Sequence, residues 1–476
     1  ERGAFTGAVK THKGRFERAD GGTLYVVRDE TLHMEIVRTD SLDYAMGGTT
    51  GRTVPFPAIP LAHENGQPNH QHVVSHAVLE NRTVNIRDAY VAEGFDFLGT
   101  REFDSRTGYR SKSFLVIPMI NHEEEVIGVL QLLNATEPDS EEIIPFSADA
   151  ERLAKAFASQ AAMTLTNRRL IKELRTLFDS LLELIAIGID AKSPHTAGHC
   201  RRVPVITMMM ADAVHRNRQG PFADFRLTDE NRYALEVAAW LHDCGKITTP
   251  EHLLNKSRKL ETVYDRMETI EARFEILRRD IELKLLRHQL ERARSDDSEP
   301  IGQLEQQYLK ELEALDQDEA FVRDCNRGNE SMSEAARGRV RRLGEKAWTD
   351  HRGEPRFLLT PEEVETLCVE RGTLSDREKR TVNGHITATL SMLNGLQFPR
   401  ALRNVPEYAG GHHERVDGTG YPLGLKREEM SVEARIMAIA DIFEALSAHD
   451  RPYRTRKKLS ECLDILRTMS QEGHID

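Results

Sequence analysis

The chain has 476 residues, which is enough for roughly two to three domains rather than one hydrophobic core. Its formal net charge of −12 gives no basic surface for duplex nucleic acid. Five scattered cysteines without a C-x-x-C pair argue against a disulfide framework or a zinc ribbon and favour the cytoplasm. The central apolar stretch 181–189 is too short to span a bilayer, although a membrane anchor on a longer chain stays an open alternative.

Residues 1–146 alternate strand patterns with loops. Thr23–Val27 and Leu32–Val37 flank a polar turn, which predicts a β-hairpin. Ser113–Met119 and Val126–Leu133 flank a charged tip and predict a second hairpin. The first domain is therefore expected to contain an antiparallel sheet.

The second hairpin and the segment 75–88 resemble a GAF domain, a small antiparallel sheet flanked by helices. The resemblance implies an α+β sensory domain over residues 1–146 that binds a small ligand. The residues do not identify this ligand. His70 and His72 fit a solvated polar loop better than a metal site.

Residues 147–190 are expected to form one long helix that connects two domains. Leucines recur in it at alternating spacings of four and three, which is a heptad pattern. These leucines either face a core, or they form a parallel homodimer that transmits the state of the sensor; we favour the dimer. The pattern comprises Leu170, Leu174, Leu177, Leu181 and Leu184.

A helical insert is expected at about 262–360. A second heptad-like apolar run extends from Leu260 to Leu285, breaks at the polar segment 295–300, and resumes from Leu304 to Leu315. This pattern predicts an antiparallel helical hairpin. We assign it a structural or partner-binding role.

The C-terminal half carries histidines and aspartates at five separated places. A lone histidine is more often a structural residue than a ligand, but Asp441 lies in an apolar helix, 434–446, where an unpaired buried carboxylate would cost several kcal/mol. The same argument applies to His242 and Asp243, which follow the apolar helix 233–241. The five places hold His195 and His199 (four residues apart, on one helical face), His242-Asp243, His385, His412-His413, and Asp441.

These residue types predict a metal centre. Imidazole and carboxylate together suit iron, manganese, nickel or zinc. Without His195, seven ligand-type residues remain; they exceed the needs of one ion, whereas two ions sharing the Asp243 carboxylate would use them all. Two ions about 3.5–4 Å apart can clamp the attacking and leaving oxygens of a phosphodiester, so the pattern indicates phosphodiester hydrolysis.

The same residues resemble a known family. His199, His242-Asp243 and Asp441 match the signature of HD-domain metal hydrolases, an all-α fold, and His385 with residues 412–422 match the HD-GYP subfamily. The resemblance covers residue 182 to the C-terminus apart from the insert. It implies an all-α catalytic domain at 191–476 that hydrolyses cyclic di-GMP to pGpG or onward to GMP, with iron or manganese expected before nickel or zinc. By resemblance the ligands are His199, His242, Asp243, His385, His412, His413 and Asp441.

The family implies further roles for residues that each have a simpler alternative. His195 would be a ligand of a third ion or a surface histidine. Lys246 would stabilise negative charge on the scissile phosphate or be a solvated lysine. Arg451 and Arg454 would bind phosphate, for which the guanidinium fork is suited, or belong to a charged loop.

The loop that contains Gly420 and Tyr421 is a candidate substrate contact. Glycine permits unusual backbone torsions. Tyr421 would either stack on a guanine or support the loop, and we favour support. Three functions therefore compete: a cyclic di-GMP phosphodiesterase, a phosphodiesterase for 3′3′-cyclic GMP-AMP, and a non-catalytic signalling scaffold.

Overall fold

The computed structural model describes residues 19–136, 142–192, 198–295, 302–328, 331–448 and 457–476. The chain divides into two compact units, one up to Leu177 and one from Phe178 to Asp476. Within the described ranges, no helix combines the length and the apolar character needed to cross a bilayer.

The first unit is built on an antiparallel sheet. Its strands are β1 (Ala19–Arg28), β2 (Thr31–Thr39), β3 (Tyr44–Gly47), β4 (Ile59–Pro60), β5 (Val84–Ile86), β6 (Phe114–Ile120), β7 (Val126–Thr136) and β8 (Ile143–Ile144). Their order in the sheet is β3-β2-β1-β7-β6-β5, while β4 pairs with β2 and β8 pairs with β7. Both predicted hairpins are present, as β1–β2 and β6–β7.

Helices cover both faces of this sheet. Successive side chains of a strand point to opposite faces, so Leu115 and Ile117 of β6 pack on alanines of α3 while Phe114 and Val116 pack with α1. Strand β6 is therefore apolar throughout instead of alternating. The helices of this unit are α1 (Val73–Leu79), α2 (Leu98–Thr107) and the first part of α3 (Ala148–Lys192).

The predicted connecting helix is α3, and its 45 residues run from the first unit into the second. The leucines of the predicted heptad seam are between 47% and 67% exposed, so they do not face a core. A different face of α3 is buried in the second unit through Leu182, Ala186 and Ile189. The structure thus removes the core-facing interpretation of the seam.

The second unit is mostly helical. After α3, its helices are α4 (His199–Arg216), α5 (Asp229–Leu241), α6 (Glu251–Leu254), α7 (Met267–Ser295), α8 (Gly302–Arg327), α9 (Glu334–Gly344), α10 (Pro361–Leu367), α11 (Asp376–Asn394), α12 (Val405–Gly410), α13 (Val432–Ser447) and α14 (Leu459–Gln471). The main core of this unit joins the end of α3 to α4, α5, α12 and α13.

The predicted helical hairpin corresponds to α7 and α8, and its predicted break lies mainly outside the described residues. The insert has a core of its own, in which Ile270 and Phe274 of α7 meet Leu315 and Val322 of α8. It also contains a short hairpin, β9 (Ala347–Thr349) with β10 (Pro355–Phe357), that the sequence reasoning did not predict.

Candidate metal centre

Helix ends and helix faces of five segments converge on one buried cluster. His199 is the first residue of α4, and His242-Asp243 directly follow α5. Helix α11 begins after a capping box of Ser375 and Glu378. The remaining members lie within α11 (His385), just after α12 (His412 and His413) and within α13 (Asp441).

Asp243 lies at the middle of the cluster, and its two carboxylate oxygens face different partners. Oδ2 is 3.2 Å from His199 Nε2 and 3.3 Å from His242 Nε2, whereas Oδ1 is 3.3 Å from His385 Nε2. Asp441 Oδ1 lies 3.2 Å from His199 Nε2 and 3.9 Å from His242 Nε2. Asp243 therefore connects two groups of donors.

These donors form two sets whose ligand atoms lie within 4.8 Å of one another: His199, His242 and Asp243 in one, and His385, His412 and His413 in the other. Both sets contain imidazole rings at close range. The ring centroids of His199 and His242 are 5.3 Å apart, and those of His412 and His413 are 4.3 Å apart. Such crowding of nitrogen donors around a carboxylate matches the ligand chemistry of first-row metals.

Three histidines of the cluster are held in the same way. The Nδ1 atoms of His242, His385 and His412 lie 2.7, 2.6 and 2.5 Å from the carbonyl oxygens of Ala239, Val382 and Ala409, each three residues earlier. A carbonyl can only accept, so each Nδ1 carries the hydrogen and donates. Each Nε2 then presents its lone pair to the centre, as in histidines that bind metals.

The Nε2 atoms of His385 and His412 are buried and have no hydrogen-bond partner among the described residues. A buried polar atom without a partner costs free energy comparable to a lost hydrogen bond. Here both atoms point into a cluster of carboxylates and imidazoles, where a metal ion would satisfy them. The donor set therefore fits a metal centre.

Burial and neighbouring histidines disfavour protonation of His412 and His413, whereas at His199 the hydrogen bonds to the carboxylates of Asp243, Asp441 and Glu444 outweigh burial and raise its pKa well above the usual value. Burial lowers the pKa of His413 from 6.5 to about 4. Burial, together with His413 and His242, holds the pKa of His412 well below its usual value. Burial opposes the charge of Asp441, yet the contact with His199 keeps its pKa below the ordinary range. Neutral imidazole and ionised carboxylate are the forms that bind metals.

Lys246 is close to the cluster. It lies in a 3₁₀ turn directly after Asp243, and its Nζ is 2.5 Å from Asp243 Oδ2. Burial lowers the pKa of this ammonium group, but the charge of Asp243 outweighs burial and raises it. Lys246 is therefore a fixed positive charge at the edge of the cluster.

The loop after His413 is organised by a buried glutamate. Glu414 accepts hydrogen bonds from Leu423 N and Leu425 N, which closes the loop on itself. A Cβ atom on Gly420 would lie 2.3 Å from Arg415 N, so this position requires glycine. The Tyr421 ring stacks on His413 at 4.9 Å between centroids. Tyr421 thus packs against His413, a contact that the sequence, which favoured support of the loop, did not indicate.

The glycine and threonine that join α11 to the His242-Asp243 corner were not singled out from the sequence. Thr389 Oγ1 donates to His242 O and accepts from Gly245 N. A Cβ on Gly245 would lie 2.0 Å from His385 O, so only glycine lets the helix approach this closely. This junction fixes where His385 stands relative to Asp243.

The structure brings together all seven residues that the sequence indicated as ligands: His199, His242, Asp243, His385, His412, His413 and Asp441. His195, Arg451 and Arg454 lie outside the described residues. The sequence reasoning missed Glu444, which is buried against His199. A signal for it existed, because Glu444 is a second acidic residue one turn after Asp441 in the same apolar helix.

Comparisons with known proteins agree with this architecture. Residues 18–165 match the GAF domain, and residues 196–320 and 356–476 match two descriptions of the HD domain. The chain therefore carries a GAF domain followed by an HD-domain region, and both predictions of domain class are confirmed.

Several relatives are cyclic-dinucleotide phosphodiesterases by name. The chain is 39% identical over 122 residues to 3′3′-cGAMP-specific phosphodiesterase 1 of Vibrio cholerae; this matched stretch covers 25% of this chain and 26% of the relative. It is 39% identical over 106 residues to a cyclic di-GMP phosphodiesterase of Pseudomonas aeruginosa, covering 22% and 24%. It is 35% identical over 104 residues to the cyclic di-GMP phosphodiesterase of Thermotoga maritima, covering 22% and 28%.

The chain thus matches about a quarter of the length of these relatives. Their names are consistent with the HD-GYP resemblance of the sequence.

Proposed function

We propose that this protein is a metal-dependent phosphodiesterase that hydrolyses cyclic di-GMP to pGpG or GMP under the control of its GAF domain. One observation carries the proposal: seven imidazole and carboxylate side chains from five segments meet in a buried cluster, and the two oxygens of Asp243 face different sets of them. The names of the relatives support the reaction class.

The geometry suggests how two ions would be held. One site would use His199, His242, Asp243 and Asp441, and the other would use Asp243 with His385, His412 and His413. Iron or manganese is expected first for this mixture of nitrogen and oxygen ligands, with nickel or zinc as alternatives. A third ion bound by His195 stays a prediction.

A pair of divalent ions supplies a nucleophile at neutral pH and stabilises the negative charge of the phosphodiester. The protein contributes orientation and charge. Asp243 holds its two oxygens toward the two sets of donors, and Lys246 carries a positive charge beside them that would neutralise a phosphate oxygen. Tyr421 fixes the ring of His413. Contacts of Gly420, Arg451 and Arg454 with substrate remain predictions.

We also propose that the protein is a homodimer through α3 and that the GAF domain binds a small ligand. The exposed leucine seam supports the dimer, because an α-helix with an apolar heptad face is stabilised in water by pairing with a second helix. Turnover would then respond to the ligand through this helix.

The test is turnover with separated products. The full chain, loaded with manganese or with iron under anaerobic conditions, is incubated with cyclic di-GMP and, in parallel, with 3′3′-cyclic GMP-AMP. We expect linear pGpG or GMP from cyclic di-GMP and none from Asp243→Ala. Faster cleavage of cyclic GMP-AMP would show that this dinucleotide is the preferred substrate and that the proposed metal-dependent hydrolysis is correct.

Metal-loaded protein that cleaves neither dinucleotide would instead support a signalling scaffold. Activity that survives Asp243→Ala would exclude the proposed centre altogether.

A further inference from the structure

His199 is supported differently from the other inner histidines. Its Nδ1 lies 2.5 Å from Glu444 Oε2, a side-chain carboxylate, whereas His242, His385 and His412 use main-chain carbonyls. Glu444 is 1% exposed. The orientation of His199 therefore depends on a side chain that mutation can remove.

The two oxygens of Glu444 have separate partners. Oε1 accepts from Arg202 Nε at 2.8 Å and lies 2.7 Å from the second guanidinium nitrogen, while Oε2 faces His199. Arg202 lies on α4, one turn after His199, and holds the carboxylate in place. A buried carboxylate without such a cation would be costly, so the ion pair explains how Glu444 stays charged beside a histidine.

The arrangement fixes the hydrogen on Nδ1 of His199. The Glu444 carboxylate accepts that hydrogen, so an ion bound between Nε2 of His199 and the carboxylates of Asp243 and Asp441, each 3.2 Å from Nε2, would take the place of a hydrogen on Nε2. Carboxylates that hold a ligating histidine in this way raise its basicity, and their loss typically weakens metal binding by about 10–100-fold.

We propose that Glu444 is a positioning residue for the ion site formed by His199, His242, Asp243 and Asp441, acting through His199. This inference rests on the proposed metal-dependent function. Helix α13 then supplies both a ligand, Asp441, and the support of a second ligand on α4. The other ion site, in which main-chain carbonyls support His385 and His412, does not depend on Glu444.

The experiment counts ions and measures their affinity in the full chain. Wild type, Glu444→Gln and Glu444→Asp are loaded with Mn²⁺, separated from free metal, and analysed for manganese per chain and by chelator competition. Glutamine keeps the shape and an oxygen acceptor but removes the charge. Aspartate keeps the charge, but its side chain is one methylene shorter, so the carboxylate lies farther from His199.

Two matched controls come from the same region. Glu433→Gln alters another buried glutamate of α13, whose Oε1 accepts from Asn231 and which is not a neighbour of His199. Arg202→Gln removes the cation and leaves Glu444 against His199. Unfolding temperatures of all variants show whether any change in metal content follows from a loss of folding.

We expect two ions in wild type and in Glu433→Gln. In Glu444→Gln and Glu444→Asp one ion should bind about 10–100-fold more weakly while the other is unchanged, and Arg202→Gln should lie between. Two ions with wild-type affinity in both Glu444 variants would overturn the inference, as would an equal weakening of both ions. Wild type that binds no ion would refute the proposed function itself.

Discussion

A buried aspartate in each unit shows the difference between a structural and a functional polar group. Asp104 in the GAF domain accepts from Tyr90 Oη, Ser111 N and Ser111 Oγ, all within 2.9 Å. Within the described part of the chain, the ammonium group of Lys246 is 2.5 Å from Asp243, and imidazole nitrogens follow at 3.2–3.3 Å. The first is satisfied by hydrogen bonds from neutral groups of its own domain, whereas the second lies among a lysine and imidazole nitrogens, an arrangement suited to sharing a metal ion.

The largest expected effect separates these two aspartates. Asp243→Asn should abolish turnover and metal binding but leave folding intact, because the folded protein loses a ligand and no structural hydrogen-bond network. Asp104→Asn should keep the metal and lower the free energy of unfolding by about 1–3 kcal/mol, since an amide faces three donors with one acceptor. Manganese content and chemical denaturation measure both. A protein that loses its metal through Asp104→Asn would break the comparison.

Lys246 tests whether charge beside the cluster is used in the reaction. Lys246→Met should lower kcat about 10²–10³-fold, the usual effect of removing a donor to developing negative charge, with two ions still bound. Steady-state kinetics on metal-loaded protein and a metal count decide this. A large loss of metal with the same variant would show that Lys246 instead stabilises the site.

The acid dependence of metal binding sharpens the contrast with ordinary histidines. Protons compete with metal only below the pKa of a ligand. Because burial lowers the pKa of His413 to about 4, this competition is postponed from about pH 6.5 to the neighbourhood of pH 4. Protonation of His412 and His413 should therefore not release their ion on dialysis at about pH 5.5. Release between about pH 7 and 6 that accompanies protonation of His413 would contradict the environment described for this ring.

The smallest effect on the centre is expected from the α3 seam. Leu174→Glu with Leu181→Glu should shift the protein from dimer to monomer and leave the metal content unchanged, because both leucines are exposed and neither is a proposed ligand. Light scattering after gel filtration measures the mass, and Lys172→Glu on the same helix is the control. A wild-type monomer would refute the dimer.

The domain classes could be predicted from the sequence, and the resemblance to the HD-GYP family together with the cost of burying a carboxylate indicated the seven residues that the structure brings together. Asp441 interrupts an apolar helix, and His242-Asp243 end another. Glu444 shared this signal, but its partner His199 is 245 residues away along the chain, so their contact depends on how α4 and α13 pack.

Other features also depended on packing between distant segments. The contact of Thr389 with His242 and Gly245 and the role of Glu414 in closing its loop arise from the folded arrangement. The heptad pattern of α3 allowed two interpretations, and the exposure of its leucines removed the core-facing one, while the dimer stays a prediction. Periodicity places residues on a helix face, but it does not say what that face contacts.

The most direct test of the metal centre is the anomalous scattering of crystals of the manganese-loaded full chain. The arrangement of ligands predicts two peaks on either side of the Asp243 carboxylate, about 3.5–4 Å apart, one near His199 and Asp441 and the other near His385, His412 and His413. A single peak, or two peaks that do not both contact Asp243, would contradict it.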